Sequence, residues 1–105
     1  MNHSYVLTLE AENDLIGIWL YGESQWNEAQ ADHYQDNLHA CFQRIAEGGV
    51  STKPMEGMND VHFYRCQRHF LFFTEQPNGI AIIAVLHERM DLPTRLMERL
   101  SNCLA

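Results

Sequence analysis

Three arginines and two histidines in the second half of the sequence could together carry out acid–base chemistry. They are Arg65, Arg68, His69, His87 and Arg89. A histidine that takes the proton of a 2′-hydroxyl, flanked by cations that stabilise a pentavalent phosphate, would cleave RNA. In the structural alternative, the histidines are hydrogen-bonded within the fold and the arginines pair with nearby carboxylates. The candidate carboxylates are those of Glu56, Asp60, Glu88 and Asp91.

The net charge of the chain favours the structural alternative. The chain has seven Lys and Arg residues and 14 Asp and Glu residues, which gives a formal charge of −7 over 105 residues. Affinity for nucleic acid comes mainly from cations that neutralise phosphates, so direct nucleic-acid binding is not expected. Except for Lys53, the cations are arginines. Their rigid guanidinium donors could still form one local site for a phosphate or a carboxylate.

The six histidines do not have the spacing of a metal site. His33 and His39 are six residues apart on a predicted helix, and at ~100° per residue they point to opposite sides. Cys66 and His69 are close in sequence, but arginines beside them make a poor environment for a cation. The sequence therefore predicts no metal site.

Cysteine spacing and apolar runs indicate a cytoplasmic protein. Cys41, Cys66 and Cys103 form no C-x-x-C pair and are expected to be reduced, buried thiols. Residues 1–5 lack the features of a secretory signal. The longest apolar runs, 71–73 and 80–86, are far shorter than the ~20 residues of a membrane helix.

Residue periodicity predicts one α+β domain over residues 1–105, with the order β-α-α-β-β-β-α. Asn27 and Gln30 resemble a capping box that opens the second helix, directly after the first, so the two helices form a hairpin packed on a small antiparallel sheet. Trp19 and Trp26 are expected to pack in the core and at the hairpin corner. The predicted strands are 5–9, 61–66, 68–75 and 80–87, the loop before the sheet is 51–60, the hairpin turn is 76–79, and the terminal helix is 92–100.

The predicted sheet is apolar on both faces. Phe70 and Phe72 alternate with Leu71 and Phe73 in one strand. In the last strand, one face carries Ile80, Ile82, Ala84 and Leu86, and the other carries Ala81, Ile83, Val85 and His87. A helical hairpin covers only one face of a sheet. The opposite face is therefore expected to stay uncovered and to receive a partner.

The most specific pattern in the chain is Leu86-His87-Glu88-Arg89-Met90-Asp91, directly after the last apolar strand. It follows Tyr64-Arg65, the run 68–73 and the strand 80–83. Together these segments resemble the closing half of the ParE toxins, within the ParE/RelE superfamily. The spacing of apolar residues in the helical hairpin is similar to that family's as well, and the resemblance extends over about residues 5–96.

The resemblance implies the toxin of a type II toxin–antitoxin module. ParE members are associated with inhibition of DNA gyrase, and hence of replication, through protein–protein contact and without a cofactor. A cognate antitoxin neutralises them through a segment that is disordered when free and folds on the toxin, giving a hetero-oligomer. Many such toxins are basic, whereas this chain is acidic. The antitoxin contact is therefore expected to depend mainly on apolar burial.

Two sets of residues are predicted to form contacts. The target-binding set is the rim after the last strand with the terminal helix, namely Arg65, His87, Arg89, Met90, Asp91 and Leu96. The antitoxin-binding set is Phe70, Phe72, Ile82, Ala84, Leu92 and Leu100, or the alternate residues of the same strands. Two rim residues have a structural alternative, because Asp91 can cap the terminal helix and Arg89 can form an intramolecular salt bridge.

Two other functions stay open. RelE-like relatives cut mRNA on the ribosome, and in that case Arg65, His87 and Arg89 would be the catalytic residues. No tyrosine follows Tyr64 to supply the C-terminal tyrosine of that branch. Lys53 is the only basic residue in the loop before the sheet. The third possibility is a non-toxic module that keeps the fold and the antitoxin contact.

Overall fold

A computed structural model describes residues 4–58 and 60–104. Its elements follow the predicted order, with one addition inside the predicted loop, a two-residue strand. In chain order they are β1 (Ser4–Leu7), α1 (Leu9–Gln25), α2 (Glu28–Ala46), β2 (Lys53–Pro54), β3 (His62–Cys66), β4 (His69–Gln76), β5 (Gly79–His87) and α3 (Leu92–Leu104). Within these described ranges, no helix is long and apolar enough to cross a membrane.

Side-chain caps determine where the two long helices begin. Thr8 Oγ1 accepts a hydrogen bond from the Ala11 N–H at 3.2 Å, and Asn27 Oδ1 accepts one from the Gln30 N–H at 2.8 Å. Each cap satisfies an N–H that has no partner within the first helical turn. The predicted cap at Asn27 is confirmed. Because only residues 26 and 27 separate α1 from α2, the two helices form an antiparallel hairpin.

The five strands form one sheet in the order β1-β5-β4-β3-β2. Strands β2 to β5 are antiparallel neighbours, but β1 runs parallel to β5, so the sheet is mixed rather than antiparallel throughout. The helical hairpin and three strands separate β1 from β5 in sequence, so no tight turn sets their relative direction. Gly79 is required at this contact, because a Cβ there would lie 1.7 Å from the Ser4 carbonyl oxygen.

The helical hairpin covers one face of the sheet. Leu15 of α1 and Leu38 and Phe42 of α2 pack on Leu71 and Phe73 of β4 in one buried cluster. Apolar burial of this kind contributes ~25 cal/mol per Å² removed from water. This cluster is the main core of the molecule, and it positions the carboxyl end of β5 beside α1.

A disulfide joins the hairpin to the sheet. Cys41 of α2 and Cys66 at the end of β3 are bonded, with their Cα atoms 6.7 Å apart. The prediction that these two cysteines are reduced thiols is therefore wrong in this structure. A separation of 25 residues in sequence says nothing of their distance in the fold, since packing of α2 over the end of β3 brings them together. The side chain of Cys103 lies outside the described residues.

The second face of the sheet is covered by α3, which corrects the expectation of an uncovered face. Leu96 of α3 is fully buried against Phe72 and Ala84. The segment between β2 and β3 adds Met55 and Met58 at the edge of this cluster. The terminal helix was predicted, but its sequence did not indicate that it folds back over the sheet.

A β-bulge changes which residues of β5 share a face. Phe72 pairs with Ala84 but Phe73 pairs with Ile82, so Ile83 is an extra residue on β5. The extra residue interrupts the alternation of side chains along the strand. Ile82 consequently lies under the helical hairpin and Ala84 under α3. The prediction that Ile82 and Ala84 belong to one face is wrong.

Candidate functional site: a groove beside the helical hairpin

A groove of about 690 Å³ lies between the helical hairpin and the ends of β4 and β5. We call it the hairpin groove. Its floor is partly apolar, and aromatic and basic side chains lie at its rim. It is lined by Asn13, Asp14, Gly17, Ile18, Tyr21, Gly22, Trp26, Ala31, Tyr34, Arg68, His69, Val85, Leu86, His87, Arg89 and Met90.

The structure brings together four of the five residues that the sequence singled out for acid–base chemistry. Arg68, His69, His87 and Arg89 line the hairpin groove because β4 and β5 are paired at this end, with His69 opposite His87. Arg65 is not among the lining residues. Its guanidinium forms an ion pair with Glu88 and donates to the Gln67 carbonyl oxygen at 3.1 Å. The predicted pairing of an arginine with Glu88 is therefore confirmed.

His69 is held in its neutral form at the base of the groove. The Arg68 N–H donates to the Tyr34 hydroxyl at 3.3 Å, and that hydroxyl lies 2.6 Å from His69 Nδ1. The Tyr34 hydroxyl thus bridges the Arg68 backbone and the His69 ring. Burial, and then the neighbouring His87, lower the pKa of His69 to about 4. Burial also raises the pKa of Tyr34.

His87 is also tied to the backbone. Its ring lies edge-on to that of His69 with centroids 5.2 Å apart, and its Nδ1 accepts a hydrogen bond from the Arg89 N–H at 3.1 Å. A neutral imidazole whose Nδ1 accepts carries its proton on Nε2. In a neutral His87, the unprotonated nitrogen is therefore the one that accepts from the Arg89 backbone.

Arg68 and Arg89 are the two cations at the rim of the groove. Both residues are exposed. Neither guanidinium forms an ion pair or a hydrogen bond with any residue that the structure describes. The predicted alternative of an intramolecular salt bridge for Arg89 does not occur among these residues. In a chain of charge −7, these two guanidinium groups are a local positive site.

One carboxylate, that of Asp14, also lines the groove, but it is already engaged. Arg99 of α3 contacts both of its oxygens, at 2.9 and 3.0 Å, and the Val85 N–H donates to it at 3.0 Å. Arg99 donates further to the Ile83 carbonyl oxygen at 2.8 Å. Asp14 therefore ties α1, β5 and α3 together and does not pair with Arg68 or Arg89.

Exposed apolar side chains border the groove. Tyr21 and Trp26 are each 63% exposed and lie edge-to-face, and Met90 is 46% exposed on the opposite side. As predicted, Trp26 lies at the hairpin corner, where its ring packs on Tyr21, but most of its surface is open. Trp19 is partly buried and donates to Asp32 Oδ1 at 2.8 Å.

Two residues of the predicted target-binding rim have structural roles. Asp91 Oδ1 accepts from the Thr94 N–H at 3.4 Å and its Oδ2 from the Thr94 hydroxyl at 2.9 Å, which is the geometry of a cap on α3. Leu96 is fully buried and has no surface to offer a partner. Arg65, Arg89, Met90 and Asp91 are exposed and His87 is partly exposed. Of these five, only His87, Arg89 and Met90 line the hairpin groove.

The predicted antitoxin-binding residues are covered in this structure. Phe72 and Ala84 are buried under α3, and Ile82 is buried under the helical hairpin. Phe70, Leu92 and Leu100 are partly buried around the α3 cluster. None of the six residues belongs to the hairpin groove.

Sequence reasoning missed the contribution of the hairpin to the site, in particular Gly17, Tyr21 and Tyr34. The available signal was the excess of apolar residues on α1. Its core stripe accounts for Ala11 and Leu15, whereas Tyr21 and others remain outside it. An apolar helix position that does not fit the core stripe indicates a contact surface.

The fold and the sequence together define a ParE toxin. A family model described as "ParE toxin of type II toxin-antitoxin system, parDE" matches residues 5–92, and the chain belongs to this family. It is 40% identical over 101 residues to "Toxin ParE" of Escherichia coli, covering 94% of this chain and 98% of that protein. It is 33% identical over 94 residues to "Toxin ParE1" of Caulobacter vibrioides, covering 88% of this chain and 96% of that one.

A solved structure has the same fold. The structure titled "Chromosomal ParDE TA system from P. aeruginosa" matches with a TM-score of 0.70 at 15% sequence identity, over 80% of this chain and 94% of that chain. The α+β fold predicted from the sequence is thereby confirmed. The family match over residues 5–92 and the two relatives confirm the resemblance to ParE toxins.

Proposed function

We propose that this ParE-family toxin inhibits DNA gyrase, and hence replication, by protein–protein contact in the cytoplasm. The observation that carries the proposal is the family match over residues 5–92, with curated ParE relatives covered almost end to end. The whole chain, 1–105, acts as one toxin domain, and its action needs no cofactor.

A cognate antitoxin neutralises the toxin and forms a hetero-oligomer with it. The similar solved structure is named as a ParDE toxin–antitoxin system, which supports an antitoxin as the partner of this chain as well. The antitoxin segment orders on the toxin surface and recovers the cost of ordering by burying apolar area.

Arg89 and Met90 contact the target, with His87 beside them. These residues are supported by their exposure at the end of β5. Arg89 has no carboxylate partner among the residues that the structure describes, so it can pair with one on the target without breaking a bond within the toxin.

Hydrogen bonding at the histidines supports a non-enzymatic mechanism over mRNA cleavage. His87 Nδ1 accepts from the Arg89 N–H, and His69 Nδ1 faces the Tyr34 hydroxyl. A general base needs an unprotonated ring nitrogen within reach of its substrate. The remaining nitrogen of His87 is the protonated one, so the residue is poorly suited to that role.

Paired assays on the purified chain test the proposal. DNA gyrase supercoiling and ribosome-dependent mRNA cleavage are each measured with the wild type, Arg89→Gln and the control Arg95→Gln, which removes an exposed arginine on α3. We expect inhibited supercoiling, intact mRNA and at least tenfold weaker inhibition by Arg89→Gln alone.

Two results would contradict the proposal. If the wild type cleaves mRNA and the variant His87→Ala leaves the mRNA intact, the chain belongs to the nuclease branch. No effect in either assay, with a folded protein, would indicate a non-toxic module.

A further inference from the structure

We propose that Cys41 and Cys66 are a reversible redox modification site that ties the helical hairpin to the sheet. In a reducing cytoplasm the two residues are thiols, and a low-molecular-weight disulfide such as glutathione disulfide oxidises them to the bond seen in this structure. The oxidised toxin resists unfolding more strongly than the reduced toxin. The inference goes beyond the proposed function and takes only the cytoplasmic location from it.

The pair lies where α2 meets the turn between β3 and β4. Cys41 belongs to α2, Cys66 is the last residue of β3, and their Cα atoms are 6.7 Å apart, within the range that a disulfide can bridge. Disulfides of cytoplasmic proteins are usually transient and serve redox sensing or catalysis. A pair that the fold holds at bonding distance in that compartment is therefore placed to change its redox state.

Both sulfurs also have neighbours that suit the reduced state. The Arg44 guanidinium donates to Cys41 Sγ at 3.2 Å, and a cation beside a sulfur stabilises the thiolate, the form that reacts with disulfides. Cys66 Sγ lies 3.9 Å from the Asn37 carbonyl oxygen, which can accept a hydrogen bond from the thiol. A stabilised reduced form makes a disulfide easier to reduce, so the surroundings of this pair favour a reversible bond.

Two exchange steps form the bond. The Cys41 thiolate attacks one sulfur of glutathione disulfide, forms a mixed disulfide and releases one glutathione. The Cys66 thiolate then attacks Cys41 Sγ and releases the second glutathione. The protein loses two protons and two electrons, and glutathione disulfide gains them to become two glutathione molecules. Since each cysteine is only 4% exposed, the exchange requires the hairpin to open locally from the end of β3.

The disulfide adds a covalent connection beside a hydrogen-bonded one. Tyr34 lies seven residues before Cys41, which at ~100° per residue places both on the same side of α2. The Tyr34 hydroxyl contacts His69 Nδ1, and Cys41 is bonded to Cys66, the residue that pairs with His69 across β3 and β4. Oxidation therefore fixes α2 to both sides of one strand turn. A bond that closes such a loop also restricts the unfolded chain, which stabilises the folded state.

A redox titration of the full-length toxin tests reversibility. The variant Cys103→Ser, in which Cys41 and Cys66 are the only cysteines, is equilibrated in glutathione buffers. The buffers run from the conditions of a reducing cytoplasm to those of an oxidising compartment. Free thiols are then trapped with a maleimide and counted by mass spectrometry. We expect two labels per chain at the reducing end, none at the oxidising end, and the same curve in the reverse direction.

Arg44→Gln in the same background tests the guanidinium beside Cys41. Without the cation the thiolate is less stable, so half reduction should need a glutathione buffer that is about threefold more reducing. Arg95→Gln removes an exposed arginine of α3 instead and should titrate like the parent. A curve for Arg44→Gln that equals this control would contradict the assignment of Arg44 as the group that stabilises the reduced state.

Thermal unfolding of the two redox forms measures what the bond does. We expect the oxidised Cys103→Ser protein to have a Tm at least ~8 °C above that of the reduced protein. Cys41→Ala in this background cannot form the bond, so its Tm should be the same in both buffers. Cys66→Ala provides the same control from the other side of the pair.

Three outcomes would overturn the proposal. A pair that stays oxidised in every buffer is a permanent structural disulfide, and a pair that stays reduced in every buffer is two packed thiols. Equal Tm values of the oxidised and reduced forms would mean that the bond does not tie the hairpin to the sheet. Because neither gyrase nor antitoxin enters these measurements, their failure is separate from failure of the proposed function.

Discussion

Arg99 and the pair Arg68 and Arg89 carry the same guanidinium group in two differently organised regions. Arg99 lies with Asp14 in a largely buried pair, each side chain less than one fifth exposed, that connects α3 to α1 and β5. Arg68 and Arg89 stand at the rim of the hairpin groove with no carboxylate partner among the described residues. The comparison separates an arginine that stabilises the fold from arginines that are available to a partner.

Removing the buried pair has the largest expected effect on stability. Arg99→Ala leaves the Asp14 carboxylate without its main partner, and breaking a buried ion pair in this way costs about 3 kcal/mol. Urea unfolding followed by circular dichroism measures the change, and Asp14→Asn is the matched variant from the other side of the pair. A loss below about 1 kcal/mol would mean that the pair does not hold α3 to the hairpin.

Acidification weakens the fold through His69, which lines the hairpin groove. Its pKa falls to about 4 in the folded chain, below the ~6.5 of an unfolded chain. Between these two pH values the unfolded chain binds more protons than the folded chain. The free energy of unfolding of the protein therefore decreases as the pH falls from about 6.5 to about 4. Above about pH 6.5 His69 is neutral in both the folded and the unfolded chain, so its ionisation no longer lowers the free energy of unfolding.

The variant His69→Phe isolates this contribution. It lacks the titrating ring, so its stability should vary less with pH over the same interval than that of the wild type. Thermal unfolding at several pH values measures both slopes. Parallel slopes for the two proteins would show that His69 ionises in the folded chain as it does in the unfolded one.

Arg65 is an intermediate case, because it is paired but exposed. Its side chain is 59% exposed and bound to Glu88, and exposed pairs contribute at most ~1 kcal/mol. We expect Arg65→Gln to lower the free energy of unfolding by no more than that, and less in high salt. A loss as large as that of Arg99→Ala would remove the distinction between the buried and the exposed pair.

The smallest expected effect on stability belongs to the groove arginines. Arg68→Gln and Arg89→Gln remove side chains that hold no partner in the described structure, so each should change the free energy of unfolding by no more than ~0.5 kcal/mol. Urea titration of the double variant measures the sum. A marked destabilisation would mean that the two residues support the fold, and the contrast with Arg99 would be lost.

The sequence predicted the order of the helices and main strands, but not that α3 covers the second face of the sheet. Caps such as Asn27 and the alternation of apolar residues are local signals, and they predicted the helices and the main strands. The bulge at Ile83 and the docking of Leu96 depend on contacts between distant segments. Since residues 80–86 are apolar on both faces, nothing in their pattern marks the extra residue.

The candidate site was predicted only on its strand side. His87, Arg89 and Met90 stand in one short segment, which the resemblance to ParE toxins made visible. Tyr34 and Gly17 come from the two helices, and only their packing against the strand ends brings them to the same groove. The pairing of Arg65 with Glu88, rather than a role in the groove, also depends on the three-dimensional arrangement.

Trp26 offers the most direct measurement of whether the antitoxin buries apolar surface at the hairpin groove. The toxin is labelled with 5-fluorotryptophan, and Trp19→Phe assigns the remaining ¹⁹F resonance to Trp26, which is 63% exposed in the free chain. Unlabelled antitoxin is then added with a soluble paramagnetic reagent that broadens exposed resonances. We predict that the Trp26 resonance shifts and becomes protected from broadening when the complex forms. A complex in which Trp26 keeps both its shift and its exposure would contradict the account.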